Sequence, residues 1–277
     1  MGVRINTNIE ALIAQRNLAV TAASLGKSVE KLSSGLRINR AADDAAGLGI
    51  SETLRAQVRG LNQASRNAQD AISMVQTAEG ALNEVHAMLQ RIRELAVQYN
   101  NGTNSAASKA SIKAEVEQLA DAIGKVASQT KFNGVSLLSG TGSTVTFQVG
   151  ANGGETLDVT FGGLDAGVAD VSAFVASANV SAVFGTGTAT ISAIDTAINY
   201  VSTMRGGFGA AQNRLEHTIN SLNVAAENLA ASESRIRDLD VAAEMVNFTK
   251  LQILQQAGTA ILAQANQAPQ SVLALLR

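Results

Sequence analysis

The sequence predicts a mainly α fold: a long antiparallel helical coiled-coil bundle formed by both chain ends, with a small β-hairpin-containing insert between them. Three observations predict it. Apolar residues recur at every seventh position in both halves of the 277-residue chain. Between Lys131 and Arg205 there is no Lys or Arg, and residues 139–190 hold 10 of the 24 Gly. Aromatics are 3% with no Trp, so a core must be built from Leu, Ile, Val and Ala. Those side chains suit helices packed side by side at short range.

The first helix is expected over residues 5–33, with Ser34-Gly35 as its stop. Glycine takes the left-handed conformation that ends a helix without steric cost. A connector covers roughly 35–42, and Asp43 or Asp44 caps the next helix, which runs to about Tyr99 before Asn100-Asn101-Gly102. Its seam is Leu54, Leu61, Ala68, Val75, Leu82, Leu89 and Ala96, with Ala64, Ala71, Ala78, Val85 and Ile92 three positions on. Such spacing is that of a coiled coil, narrow here because Ala fills half of it. A third helix, about 105–129, starts at Asn104 or Ser105. In the second half Ile194, Val201, Phe208, Leu215, Leu222, Leu229, Ile236 and Ala243 repeat the period, predicting a long helix over about 190–235 that pairs with the first arm. Residues 241–275 form a last helix, the counterpart of 5–33.

The insert alternates with period two. Val145, Phe147 and Val149 line one face, Leu157, Val159 and Phe161 another, with Asn152-Gly153-Gly154 between the runs. This is a β-hairpin pattern. The expected division is therefore 1–42 with 238–277 as a terminal-helix domain and 43–138 with 190–237 as a long-helix bundle. Residues 139–189 form a β-rich surface insert of that bundle.

Composition bounds the function. Net charge is −2, which gives no basic field for nucleic acid or an anionic membrane surface. No stretch of about 18 apolar residues predicts a membrane span. With no Cys there is no disulfide and no thiol nucleophile. The start of the chain lacks the basic and apolar regions of a cleaved signal. His86 and His217 belong to no metal-binding spacing, and Asp43-Asp44 are helix neighbours that do not face each other. No cofactor is expected, and no catalytic constellation stands out.

The chain ends carry the better clue. Residues 248–277 contain only Lys250 and Arg277 as charges but many amides, among them Gln255, Gln256, Gln264 and Asn266. Long amides that become buried need partners. Two readings fit: an ordinary docked terminal helix, or end helices buried between subunits with amides bonding across the contact. The connectors Arg37-Ile38-Asn39-Arg40 and Arg235-Ile236-Arg237-Asp238 each lie where a terminal helix meets a long one. They are expected to form salt links within or between subunits.

Several long motifs then fall into a known order. Ile5-Asn6-Thr7-Asn8, Leu32-Ser33-Ser34-Gly35-Leu36-Arg37-Ile38-Asn39, Ala41-Ala42-Asp43-Asp44-Ala45-Ala46-Gly47-Leu48, Gln90-Arg91-Ile92-Arg93-Glu94-Leu95-Ala96-Val97-Gln98 and Phe132-Asn133-Gly134 occupy the first half. Gln212-Asn213-Arg214-Leu215, Glu233-Ser234-Arg235-Ile236-Arg237-Asp238, Gln252-Ile253-Leu254-Gln255-Gln256-Ala257-Gly258-Thr259, Gln264-Ala265-Asn266-Gln267 and Pro269-Gln270 occupy the second. Over about 1–138 and 190–277 the chain resembles bacterial flagellin, in a short form without large outer domains.

The resemblance implies a structural subunit, not an enzyme, that self-assembles into the extracellular flagellar filament for swimming motility. It implies export in an unfolded state through a type III channel and addition at the distal tip. The partners it implies are many copies of the same chain, the filament cap and hook–filament junction proteins, and an export chaperone. It further implies a flagellin-sensing Toll-like receptor, through Arg91, Leu95 and Glu115; packing along a subunit contact is the other reading of Leu95. A hook–filament junction protein, or a secreted immune-receptor ligand, is the alternative function. Subunit contacts are expected at Arg37, Asn39, Arg40, Asp43, Arg235, Arg237, Asp238 and the four amides.

Overall fold

The computed structural model describes residues 8–139, 143–164 and 188–275. Its elements are α1 (Ile9–Ser34), α2 (Ala45–Tyr99), α3 (Ala106–Gln129), β1 (Lys131–Phe132), β2 (Val135–Ser136), β3 (Ser143–Gln148), β4 (Thr156–Phe161), α4 (Thr188–Arg237) and α5 (Val241–Leu275). They form two compact units, Met1–Ala56 with Asn228–Arg277 and Gln57–Glu227. The long helices α2 and α4 contribute to both. The first residues of the helix expected over 5–33, and most of 164–189, lie outside the described residues.

The unit Gln57–Glu227 is organised by the α2 seam. Ala64, Ala68, Ala71, Val75, Ala78, Leu82, Val85, Leu89, Ile92 and Ala96 are all buried. Facing them on α4 are Ile194, Val201, Phe208 and Leu215, also buried. The helices run antiparallel. The Ser65 hydroxyl donates to Asn223 Oδ1 at 3.4 Å, Arg205 Nη2 lies 3.9 Å from Glu79, and Arg93 Nε donates to Asp195 at 2.6 Å. The seven-residue period of α4 is less fully covered beyond Leu215: Leu222, Leu229 and Ile236 are half-buried. Ala243 lies past a break in the helix, because α4 ends at Arg237 and α5 begins at Val241. The run of eight therefore spans two helices.

α3 begins with Ser105 as its N-cap, whose hydroxyl accepts the Ser108 N–H at 3.2 Å. It buries Ile112, Val116, Ala120, Ile123 and Ala127, spaced three and four residues apart, in the same core. A small hairpin follows that the sequence reading passed over. Phe132 pairs with Val135, leaving the two-residue turn Asn133-Gly134, both with positive φ (48° and 81°). Asn-Gly favours such a turn because its twist matches that of the flanking strands.

The second hairpin pairs Val145 with Val159 and Phe147 with Leu157. Residues directly opposite in an antiparallel pair point to the same side. The two apolar sets thus form one face, not two. Phe161 meets Phe208 of α4 with ring centroids 5.3 Å apart, and Asn67 Nδ2 donates to the Gln148 carbonyl at 3.1 Å. Gly60 makes room for the hairpin tip, since a Cβ there would lie 2.9 Å from that of Ala151.

In the other unit α1 and α5 pair antiparallel. Asn8 Nδ2 donates to the Ala265 carbonyl at 2.7 Å, and the Ser28 hydroxyl donates to Glu244 at 2.5 Å. Asn8 also caps α1 by accepting the Ala11 N–H at 3.1 Å. Gly35, with φ of 71°, ends α1 as expected. Of the two candidate caps for α2, Asp44 is the one that acts: its carboxylate accepts the Gly47 N–H at 2.8 Å. Asp43 turns back instead and accepts the Arg40 and Asn39 N–H groups at 3.0 and 3.2 Å. The Arg40 N–H in particular holds the Asp43 carboxyl below its ordinary value of 3.8, with Asn39 adding to the effect.

Two outcomes follow for the monomer. Leu82→Ala leaves a cavity in a fully buried position, so urea denaturation should show a loss of about 2–5 kcal/mol, against under about 0.5 kcal/mol for exposed Asn83→Ala. The Asp43 contribution has a depressed folded-state pKa, so it is complete above 3.8 and is lost as pH falls through the lower folded value. Asp43→Ala should therefore lower the melting temperature at neutral pH, and the gap to wild type should close in strong acid. A gap that stays constant into acid contradicts this role.

Candidate assembly interface

The covered faces of α1 and α5 are narrow stripes. On α5 the partly or fully covered positions are Glu244, Phe248, Leu251, Gln255, Gly258, Leu262 and Ala265, a heptad spacing of four and three. On α1 they include Ala11, Ala14, Leu18, Thr21, Leu25 and Ser28. Gly258 lets the helices close up: a Cβ there would lie 3.1 Å from Leu18 Cδ1.

Outside those stripes both helices keep large apolar residues exposed, beside Arg16 and Lys27 on α1 and Gln256 and Gln264 on α5. Ile9, Leu12, Ile13, Val20 and Val29 are exposed on α1. On α5 the exposed set is Val241, Met245, Val246, Ile253, Leu254 and Ile261, with Val246 at 72%. Large apolar side chains left in water on helices that already share a covered seam mark a surface for a further partner. Fully burying one such side chain stabilises by roughly 1.5–3 kcal/mol, so these faces carry a large unused driving force.

The amides divide between the two faces. Gln255 lies in the stripe that meets α1, whereas Gln256, Gln264 and Asn266 are exposed. Asn8, Ser28 and Glu244 carry the polar ties between the end helices. The sequence reading did not single them out as contacts, because a lone Ser or Glu on a helix shows no pattern. Their heptad position was the signal available.

The two connectors meet as a short backbone clasp. The Arg37 N–H donates to the Arg237 carbonyl at 2.7 Å, the Leu239 N–H donates to the Gly35 carbonyl at 3.0 Å, and Leu36 bridges Asp238. Arg37 adds its guanidinium to the Ile236 carbonyl, at 2.5 Å from Nη2. Arg37 thus takes a backbone acceptor, while the salt links of Arg40 and Arg237 go to other residues of the subunit. Ion pairs do occur elsewhere in the unit: Arg40 with Glu30 at 2.8 Å and Arg237 with Glu52 at 2.7 Å. Arg237 is 14% exposed, and its Nε is buried with no acceptor. Asn39 Nδ2 donates to Ser34 Oγ at 2.8 Å, Asp238 accepts from the Ser234 hydroxyl at 2.6 Å, and Arg235 donates to Ser232 Oγ at 2.9 Å. Ile38 is buried beneath the clasp.

On the other unit Arg91 and Glu115 come together. Arg91 Nη2 and Nε donate to Glu115 Oε1 at 2.9 and 3.1 Å, and Nη1 to Glu94 at 3.1 Å. These bonds, Glu115 first, raise the Arg91 pKa and keep it charged. Leu95 is not beside them on the surface. It is 1% exposed and packed in the core with Ile92 and Ile123, so the surface contact expected of its side chain is not available in this conformation.

Among the described residues no group of His, Asp and Glu is placed to hold a metal, and no helix is long and apolar enough to cross a membrane. His86 meets the Gln90 side chain at 2.9 Å.

Comparison with known proteins accounts for this arrangement. The bacterial flagellin N-terminal helical region matches residues 5–143, and the bacterial flagellin C-terminal helical region matches residues 191–276. Flagellin of Halalkalibacterium halodurans is 53% identical over 276 residues, covering 99% of both chains. Flagellin of Bacillus subtilis is 48% identical, covering 99% of this chain and 100% of the relative. Among solved structures, a putative flagellar hook-associated protein from Vibrio parahaemolyticus shares the fold at 16% identity, with a TM-score of 0.57 over 71% of this chain and 100% of that one. The Bacillus cereus flagellin crystal structure is 31% identical, with a TM-score of 0.47 over 61% and 94%. With both helical regions matched and full-length relatives at this identity, the chain belongs to the bacterial flagellin family and is a structural subunit of the flagellar filament, not an enzyme.

Proposed function

We propose that the outward apolar faces of α1 and α5 are the surfaces through which copies of this chain pack in the filament. The observation that carries this reading is that both helices leave large apolar side chains exposed outside their mutual seam. Residues 1–42 with 238–277 then form the inner layer, and 43–138 with 190–237 the layer outside it, carrying insert 139–189. Gln256, Gln264 and Asn266 project from α5 where a neighbour's polar groups can meet them; Gln255 serves the seam inside the subunit. At the clasp, Arg37, Asn39, Arg40, Asp43, Arg235, Arg237 and Asp238 are further subunit contacts of this reading.

The finer partners belong to the same reading. Subunits leave the cell unfolded through the type III export channel with a chaperone, and add at the distal tip beneath the cap. The hook–filament junction proteins receive the first of them. The exposed Arg91–Glu115 pair is the element of the Toll-like receptor contact that a folded monomer presents, since Leu95 faces inward.

Deleting residues 248–277 should abolish polymerisation, seen as the absence of filaments by electron microscopy, while the far-UV helix signal of the unit Gln57–Glu227 persists. Filaments of normal length from the truncated chain would remove the assembly reading. For the receptor, depolymerised wild type should activate reporter cells and Arg91→Ala should reduce the response severalfold. Equal signals from the two would rule out Arg91.

A further inference from the structure

We propose that Met245 is an oxidation site that decides whether a free subunit can enter the filament. The inference rests on the assembly reading above. The chain has five Met, of which Met74, Met88, Met204 and Met245 are described. Met74 is buried in the α2 core, and Met88 and Met204 are half-buried. Met204 is further shielded by Gly162, where a Cβ would lie 2.9 Å from its Cε. Met245 differs from all three. It is 47% exposed, and with Val246, Thr249, Lys250 and Ile253 it lines a shallow groove on the outward face of α5. Its side chain is therefore the most exposed of these four to a solution oxidant.

The chemistry is a two-electron oxygen transfer. The sulfur lone pair attacks one oxygen of hydrogen peroxide, the O–O bond breaks, and the proton on the transferred oxygen passes to the departing hydroxide, giving the sulfoxide and one water. This turns a flexible apolar side chain into a polar one with a strong acceptor oxygen. In the free subunit water satisfies that oxygen. Under a neighbouring copy it needs a donor, or it remains an unpaired buried polar group. In the same groove Thr249 Oγ1 already donates to the Met245 carbonyl at 2.8 Å, and the Lys250 ammonium would itself have to be desolvated to reach the sulfoxide under a neighbour. Oxidation thus acts on the unassembled subunit, and assembly itself protects the site.

The test uses dilute hydrogen peroxide on the full-length chain, as monomer and as preformed filament, with peptide mass mapping to separate Met245 from Met1. Met245 sulfoxide should form faster than that of Met74 in the monomer and be strongly suppressed in the filament. The oxidised monomer should need an about tenfold or higher concentration to polymerise, the loss expected when one buried apolar contact is removed. Met245→Leu treated with peroxide should polymerise as untreated protein does. Met245→Gln should reproduce the defect without oxidant. Equal loss in treated wild type and treated Met245→Leu would overturn the proposal, as would normal assembly of Met245→Gln. If Met245 oxidises equally fast in filaments, the covered-face reading itself fails. If it is protected there yet its sulfoxide assembles normally, only the present inference falls.

Discussion

Close approach of helix backbones is the constraint on which the rest of the structure depends. With aromatics at 3%, the chain lacks the large side chains that let helices pack at a distance. It places Ala64, Ala68, Ala71, Ala78 and Ala96 along the α2 seam, where only a methyl group stands between backbones. Dispersion contacts then accumulate over many residues rather than a few. The same device recurs between the end helices, where Gly258 admits Leu18. A seam of small residues fixes register only weakly, so polar contacts at Ser65–Asn223, Glu79–Arg205 and Arg93–Asp195 mark where α2 and α4 must align. Each is worth little as an ion pair or hydrogen bond at an exposed edge. Their value lies in excluding neighbouring registers.

The end helices invert the usual economy of a folded chain. A soluble monomer normally keeps large apolar side chains in scattered positions, and a continuous exposed patch marks an interaction surface. Here α1 and α5 present such a surface while already sharing a covered seam. The isolated subunit pairs the connector backbones at the clasp, yet it is incomplete in its burial. In the packing proposed above, polymerisation is a second stage of the same hydrophobic process that folds the bundle.

The heptads made most of the helical architecture legible, because a period of seven sustained over α2 has no other physical reading. Residue-level roles were less accessible. Asp43 and Asp44 are equivalent as letters, and only backbone geometry assigns the cap to one and the connector turn to the other. Arg37 suggested a carboxylate partner, whereas the folded clasp offers it the Ile236 carbonyl. Leu95 sits in a motif whose charged members are exposed, but its place on the seam turns it inward. The short Asn133-Gly134 hairpin was readable from its turn chemistry alone and was passed over because the strands flanking it are only two residues each.

The tie between Asn8 and Ala265 joins positions 257 residues apart. Contacts so distant in sequence cannot form until nearly the whole chain is present, and closing them carries the entropy of a very long loop. The terminal layer therefore has no early intermediate of its own: α1 waits for α5. A chain emerging end first has its opening helix available long before the partner for it. A subunit interrupted before α5 leaves an apolar helix with nothing to cover it.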